Sequence, residues 1–157
     1  MMRIEDATLD DVDELESIFK QTYDKAMSKK EFGQKYDSAS CKKQVEFFIE
    51  NEVSFVRKVL INDVISGYSI SLIGTQFASE ATSQLYEFAA HPHPKLSKST
   101  QAKVLIILIK DLIEIQQENN IDTLTFGVSS IGFNIEKWLG KHGFNEIEKQ
   151  YIRRRND

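Results

Sequence analysis

"LYEFAAHPHPKLSKSTQAKVLIILI", residues 85–109, is the stretch whose reading decides the fold. Its front half completes "SQLYEFAAH" (83–91), a strand pattern closed by Pro92 and Pro94, which lack the N–H that a ladder needs. A lysine-rich and hydroxyl-rich segment follows, and then the unbroken aliphatic run Val104–Ile109. By propensity that run suits a strand. The polar residues around it argue for a helix: Lys103, Lys110, Glu114 and Gln117 are separated by 7, 4 and 3 positions, a stripe that helical periodicity produces and strand alternation does not. The spacing predicts a helix from Thr100 to about Asn119, apolar on its other faces and largely buried. Ser99 or Thr100 is then an N-cap at the polar-to-apolar boundary. Ile107 interrupts the polar stripe, either packed on another element or a partner chain, or simply exposed.

Working outward, "RIEDA" (3–7) reads as a short first strand and "TLDDVDELESIFKQTYDKAM" (8–27) as a helix. Thr8 followed by Asp11 is a capping-box pattern, and Val12, Leu15, Ile18, Phe19, Thr22 and Ala26 share one helical face. "SCKKQVEFFIEN" (40–51) is a second helix with Cys41, Val45, Phe48 and Ile49 on one stripe, which makes Cys41 a small core residue rather than a nucleophile. Residues 53–74 read as a hairpin turning at Asn62-Asp63. In its second arm Tyr68, Ile70 and Leu72 alternate with Ser69 and Ser71, so one face is expected to be buried. After the long helix come a strand, "DTLTFGV" (122–128), and a shorter helix from about Asn134 to His142 that stops before Gly143. "FNEIEKQYIRR" (144–154) reads as a last strand. The order β-α-α-β-β-β-α-β-α-β is mixed α/β, with an antiparallel start and a later βαβ unit.

The chain has 157 residues, enough for one domain spanning 1–157. A net charge of −4 argues against a general nucleic-acid binder, and Arg153-Arg154-Arg155 reads as a solvated tail. The aliphatic run 104–109 is far short of the ~20 residues that cross a bilayer, so no membrane role is expected. The N-terminus lacks the apolar stretch of a secretory signal. Cys41 is the single cysteine, which fits a reducing, cytoplasmic setting. The proline-poor composition, rich in Lys, Ile and Asn, is of the kind an AT-rich or viral genome encodes.

Taken together, "RIEDATLDDVDELESIF", the hairpin "VLINDVISGY", the block 85–109, "DTLTFGV" and "KWLGKHGF" with its closing "GF" resemble the GNAT superfamily of N-acetyltransferases along nearly the whole chain. The resemblance implies a single-domain GNAT-like mixed sheet with flanking helices. It also implies acetyl-CoA as co-substrate and an amine acceptor, with no metal. In that family the loop between the fourth strand and the long helix usually reads Q/R-x-x-G-x-G/A and holds the pyrophosphate on backbone N–H groups. Anchored on Pro94, the window here is Ser97, Lys98, Ser99, Thr100, Gln101 and Ala102. Ala102 fits the second small position, Thr100 stands where the first glycine is usual, and Ser97 replaces the basic or amide residue. Anchored on Pro92, the loop is two residues longer. Lys98 and Lys103 supply positive charge, and Ser97, Ser99 and Thr100 supply hydroxyl donors.

The same resemblance implies a base that takes the proton of the attacking ammonium, and Glu87 is the candidate. The plainer alternative is a solvent-facing Glu on a half-buried strand. If Phe88 faces the core, Glu87 points to the opposite face. A backbone N–H of Ala89, Ala90 or His91 is the implied donor to the thioester oxygen. The family often protonates the leaving thiolate with a tyrosine four residues before the glycine of "GF". Leu139 occupies that place, beside Trp138, and cannot donate. Tyr151 and His142 are the substitutes, against simpler roles as a sheet-packing tyrosine and a C-terminal capping histidine. The family often has an asparagine earlier in the last helix, and Asn134 lies near that place, about two residues out of register. His91 and His93 have an H-x-H spacing without an evident third ligand and read as loop histidines rather than a metal site. Two classes therefore stand: an acetyltransferase, and a catalytically silent binding or assembly module of the same fold. Ile107 and open strand edges leave room for a homodimer in either class.

Overall fold

The computed structural model describes residues 1–27, 36–76, 79–127 and 135–146. In chain order these form β1 (Met2–Asp6), a single 3-10 turn (Leu9–Asp11), α1 (Val12–Met27) and α2 (Ser38–Glu50). They continue with β2 (Ser54–Ile61), β3 (Val64–Gln76), β4 (Ser79–Pro92), α3 (Lys98–Glu118), β5 (Thr123–Thr125) and α4 (Glu136–Lys141). The sheet has the order β1-β2-β3-β4-β5, antiparallel from β1 to β4 and parallel between β4 and β5. The mixed α/β fold read from the sequence is present, with β4-α3-β5 as its crossover unit.

Local sequence explains most element boundaries. The Asp11 carboxylate accepts from the Thr8 N–H at 2.7 Å, closing the capping box at the start of the first helical segment. Asp37 caps α2 by accepting from the Ser40 N–H at 2.7 Å. Asn62 and Asp63 have φ of 50° and 65°, the left-handed pair that a tight two-residue hairpin turn requires. Gly143 has φ of 85° and ends α4, as its position in the sequence predicts.

The sheet is covered on both faces. On one, Val12, Leu15, Ile18 and Val45 of α1 and α2 meet Val56, Tyr68 and Ile70. On the other, α3 presses Val104, Leu108 and Leu112 onto Val59 and Leu85. The expected half-buried β3 is thereby corrected: Ser69 and Ser71 are fully buried, because α3 lies over the face they occupy. Gly67 lets the helix approach. A Cβ there would stand 2.6 Å from Val104 Cγ1 and 3.0 Å from the His91 carbonyl oxygen. Ile107 packs partly buried against the Val59, Val104 and Leu108 cluster.

Arg57 of β2 joins the sheet to α3. Its guanidinium donates from Nη2 to Asp111 Oδ1 at 3.0 Å and from Nε to Asp111 Oδ2 at 3.1 Å, and Nη1 reaches Asp6 at 2.6 Å. Asp111 is buried within the helix face otherwise made of Leu and Ile. The aliphatic run gave no hint of it.

Two strand expectations change. The 122–128 strand is only Thr123–Thr125, because its parallel pairing with β4 stops there. Residues 143–146 are not in a strand, and the rest of the expected last strand, with Tyr151, lies outside the described residues. Asn134 also lies outside them.

Candidate functional site at the parting of β4 and β5

β4 and β5 pair only through Gln84–Tyr86 and Thr123–Thr125. One residue later β4 bulges: its register against β3 passes from Ser71↔Glu87 to Ile70↔Ala89, so Phe88 has no partner. A bulge adds local twist and bends the strand. Beyond Tyr86 no further pairing between the two parallel strands is found among the described residues.

Glu87 stands at that point. Leu85 faces α3, and alternation puts Glu87 on the same side, in line with the buried Ser71 across the strand. Its Oε2 accepts from the Gly127 N–H at 3.1 Å, so the side chain links β4 to the segment after β5. Burial raises the carboxyl to a pKa of about 7, and the Gly127 hydrogen bond pulls weakly the other way. Glu87 is thus half-buried and tied to Gly127, between the two readings the sequence leaves open. Phe88 is 58% exposed and does not enter the core. The Ser69 and Ser71 hydroxyls beneath α3 have no hydrogen-bond partner among the described residues.

The remaining candidates fall into two groups. Ala89 and Ala90 follow the bulge, Ala89 toward α1 and α2 and Ala90 beneath α3. His91 belongs to β4 rather than to a loop, because Pro92 still pairs with Gly67 and the His93 N–H bonds to the Ser66 carbonyl at 2.8 Å. Its ring meets Phe19 and Tyr68 edge-on at 5.7 and 5.6 Å, and burial lowers its pKa to about 4. His93 is a loop histidine whose Nδ1 accepts the Lys95 N–H at 3.1 Å. No group of three or more His, Cys, Asp or Glu residues among those described is placed to hold a metal.

The loop before α3 is closed on itself. Ser97 is the N-cap, two to three residues earlier than the sequence suggests: its Oγ accepts the Thr100 N–H at 3.2 Å and lies 2.8 Å from Thr100 Oγ1. Gln101 is buried, and its amide donates to the Leu96 and Pro94 carbonyls at 2.6 and 3.3 Å. Lys25 of α1 bonds the Pro94 carbonyl at 2.7 Å. Lys98, Ser99 and Lys103 are exposed, and Ala102 is half-buried. Leu139 is buried against Leu105, Ile109 and Ile135. His142 stacks on Trp138 at 3.8 Å and its Nδ1 lies 2.8 Å from the Trp138 carbonyl, so it belongs to the end of α4.

A cleft of about 490 Å³ lies on the other face of β4, under α1 and α2. Its rings come from Phe19, Tyr23, Tyr36, Phe48, Tyr68 and Phe88. Sequence reading placed Phe19 and Phe48 on apolar helix faces but did not assemble the cleft, because its walls come from four elements far apart in the chain. The one available signal was the i, i+4 spacing of Phe19 and Tyr23. Cys41 is at the same cleft, and burial, with Glu16 nearby, pushes its thiol up to about 11, which keeps it protonated.

No protein-family profile matches the sequence, and no curated protein matches it significantly. Solved structures do match over nearly full length. A predicted acetyltransferase with acetyl-CoA from Clostridium acetobutylicum superposes with a TM-score of 0.71 at 15% identity, over 98% of this chain and 96% of that one. A transcriptional regulator from Bacillus halodurans C-125 superposes at 0.76 with 11% identity, over 98% and 99%. AAC(6')-Iy in complex with the bisubstrate analogue CoA-S-monomethyl-acetylneamine superposes at 0.71 with 12% identity, over 100% and 99%. At these identities the likeness is one of architecture. Sheet order, the crossover through α3 and the full-length superpositions together show that this chain has the GNAT fold.

Proposed function

We propose that the chain transfers an acetyl group from acetyl-CoA to an amine. The observation that carries this reading is Glu87, a half-buried carboxyl that takes the Gly127 N–H at 3.1 Å where β4 and β5 cease to pair, and whose partial burial raises its pKa to about 7. A general base works best when its pKa lies near the working pH, and an ordinary surface glutamate is too weak to deprotonate an ammonium usefully. Glu87 would first take the ammonium proton, directly or through water, and the neutral nitrogen would then attack the thioester carbonyl carbon, its second proton passing to solvent as the C–N bond forms. The oxygen that gains negative charge would be held by a backbone N–H of β4 near Ala89, Ala90 or His91. The carbon–sulfur bond would then break. A thiol of pKa ~8.5 leaves readily as thiolate and takes its proton from solvent, so Leu139 in the family's tyrosine position slows the reaction without forbidding it. The pyrophosphate would lie at the N-terminus of α3, beside Ser99, Thr100 and the ammonium groups of Lys98 and Lys103.

Isothermal titration with acetyl-CoA tests the reading. Binding in the micromolar range is expected, with thioester cleavage in the presence of an amine. Absence of heat at millimolar ligand would overturn it.

One observation favours a second reading, a silent binding module. Ser97 already occupies the Thr100 N–H, where a phosphate oxygen would have to compete. Acetyl-CoA binding without thioester cleavage by any amine would select that reading.

A further inference from the structure

The aromatic cleft is separate from the α3 loop, yet it reaches the same opening, because Phe88 and Ala89 line it and flank the bulge. Its rings fall into two groups, one around Tyr36 and one of Phe48 with Phe88. Phe19 stacks on Tyr36 at 6.2 Å, Tyr36 meets Tyr23 at 5.4 Å, and Phe48 meets Phe88 at 5.2 Å. Val45, Ile70 and Ala89 add aliphatic surface. A volume of about 490 Å³ lies within the ~300–1,000 Å³ of small-molecule sites. Such a lining suits a flat apolar group, with Asp37, Ser40 and Gln44 as polar members at its side. The Tyr36 hydroxyl is buried without a hydrogen-bond partner among the described residues. A buried unpaired hydroxyl is costly and marks a place for a polar atom not belonging to the chain.

The charges nearby are acidic in balance. Asp37 lines the cleft. Glu16, only 8% exposed, is close enough to Cys41 and Tyr68 to oppose their ionisation. Of the neighbouring lysines, Lys20 is bound to Asp24 at 2.6 Å and Lys42 to Asp13 at 2.6 Å, while Lys43 faces Asp37. Lys20 Nζ also stands 5.6 Å from the Tyr36 ring centroid, so a cation already approaches this wall.

The geometry points to an amine bearing one ring-sized apolar group, of the 2-arylethylamine kind, as the acceptor taken by this cleft. The assignment rests on the acyl-transfer reading, which makes the amine an acceptor rather than merely a ligand. The ring lies among Phe19, Tyr36, Phe48 and Phe88, and the ammonium end is directed along Phe88 and Ala89 to the gap that Glu87 spans from the other face. An anionic ring compound is disfavoured by Glu16 and Asp37, and a small alkylamine leaves the wall uncovered.

The test is calorimetric titration of the protein with 2-phenylethylamine, propylamine and 3-phenylpropionate, first alone and then with CoA present. 2-Phenylethylamine is expected to bind at least about tenfold more tightly than either control, since removing the ring or reversing the charge each loses a favourable contact. Phe88→Ser should weaken that binding about threefold to tenfold. Phe88 is exposed, so the variant should fold. Phe47→Ser is the matched control, an equally exposed ring that does not line the cleft, and it should bind like the wild type. Equal affinity for 2-phenylethylamine and propylamine, or equal effects of the two serine variants, would overturn the assignment. If acetyl-CoA binds and propylamine is acetylated as readily as 2-phenylethylamine, only this inference fails. If 2-phenylethylamine binds while acetyl-CoA does not, the acyl-transfer reading fails and the cleft remains an aryl-amine site.

Discussion

Two neighbouring parts of one connection behave in opposite ways. From His93 to Gln101 the polar groups are turned on one another: the His93 imidazole, the Ser97 and Thr100 hydroxyls, the Gln101 amide and the Pro94 and Leu96 carbonyls all have partners within the loop. From Glu87 to His91 the reverse holds. The strand is bulged, partial burial raises a carboxyl to a pKa of about 7, and among the described residues β4 has no partner beyond Tyr86 on that side and the serine opposite the carboxyl has none either. A folded chain stabilises itself by pairing polar groups as it buries them. Groups left unpaired at high cost are where external chemistry is to be sought. On this comparison the proposed reaction centre lies on the strand, and the loop is first a structural clamp holding α3.

The strongest way to break the comparison is Glu87→Gln. Loss of a general base should lower thioester cleavage by roughly 10²–10⁴-fold. Acetyl-CoA affinity should stay within about twofold. In the wild type, kcat/KM should rise with pH through about 7 and level above it, because only the ionised carboxyl accepts a proton. Stability should run the other way. The folded pKa is above the ordinary value of 4.5, so folding takes up a proton between them, and stability falls as pH rises from about 4.5 through about 7. Glu87→Gln should remove that part of the slope in chemical denaturation. A variant with unchanged cleavage rates would return Glu87 to the structural side.

Gln101→Leu tests the clamp. The Leu96 carbonyl loses its donor, and the Pro94 carbonyl keeps only Lys25. A loss of about 2 kcal/mol in urea unfolding is expected. Cleavage by the strand site should be little changed once acetyl-CoA saturates. If cleavage falls with stability intact, the loop is part of the reaction centre and the division drawn above is wrong.

The clamp and the strand also differ in how much of each the sequence discloses. α3 is legible because Lys103, Lys110, Glu114 and Gln117 record a helical period that no strand can show. The turn at Asn62-Asp63, the Thr8–Asp11 box and the stop at Gly143 are legible for the same reason: each is a local contact between near neighbours. Glu87 could be nominated by its place in a strand, but its burial could not, since that depends on where β3, β5 and α3 fall around it. Ser69 and Ser71 mislead. Polar alternation suggests a wet face, yet small side chains are what allow α3 to lie there. Asp111 is hidden in an apolar run because its partner Arg57 is 54 residues away. The aromatic cleft has no local signature beyond Phe19 and Tyr23.

Ser97→Ala separates the two possible roles of the loop hydroxyls. Losing an N-cap should cost about 1 kcal/mol. Because Ser97 Oγ now holds the Thr100 N–H, its removal frees a donor where the pyrophosphate is proposed to lie. Acetyl-CoA should therefore bind as tightly as before or more so. A tenfold loss by titration would mean that the Ser97 hydroxyl itself holds phosphate.

The smallest effect, and the finest probe, is Ser71→Ala. Ser71 and Glu87 are direct partners across β3 and β4 with side chains on the α3 face, an arrangement that sets Cβ atoms ~4.5–5.5 Å apart. The hydroxyl is nonetheless unpartnered. Replacing a buried, unpaired hydroxyl by hydrogen removes its desolvation cost, so the variant should be stabler by up to about 1 kcal/mol, seen as a higher midpoint in urea. The pH midpoint of kcat/KM should not move, because among the described residues the Glu87 carboxylate takes its hydrogen bond from Gly127 and not from Ser71. An upward shift of that midpoint would show that the Ser71 hydroxyl turns to the carboxylate once it ionises. In that case the unpaired serine is held in reserve for the charged form of the base, and the strand contains a second group whose purpose is realised only during the reaction.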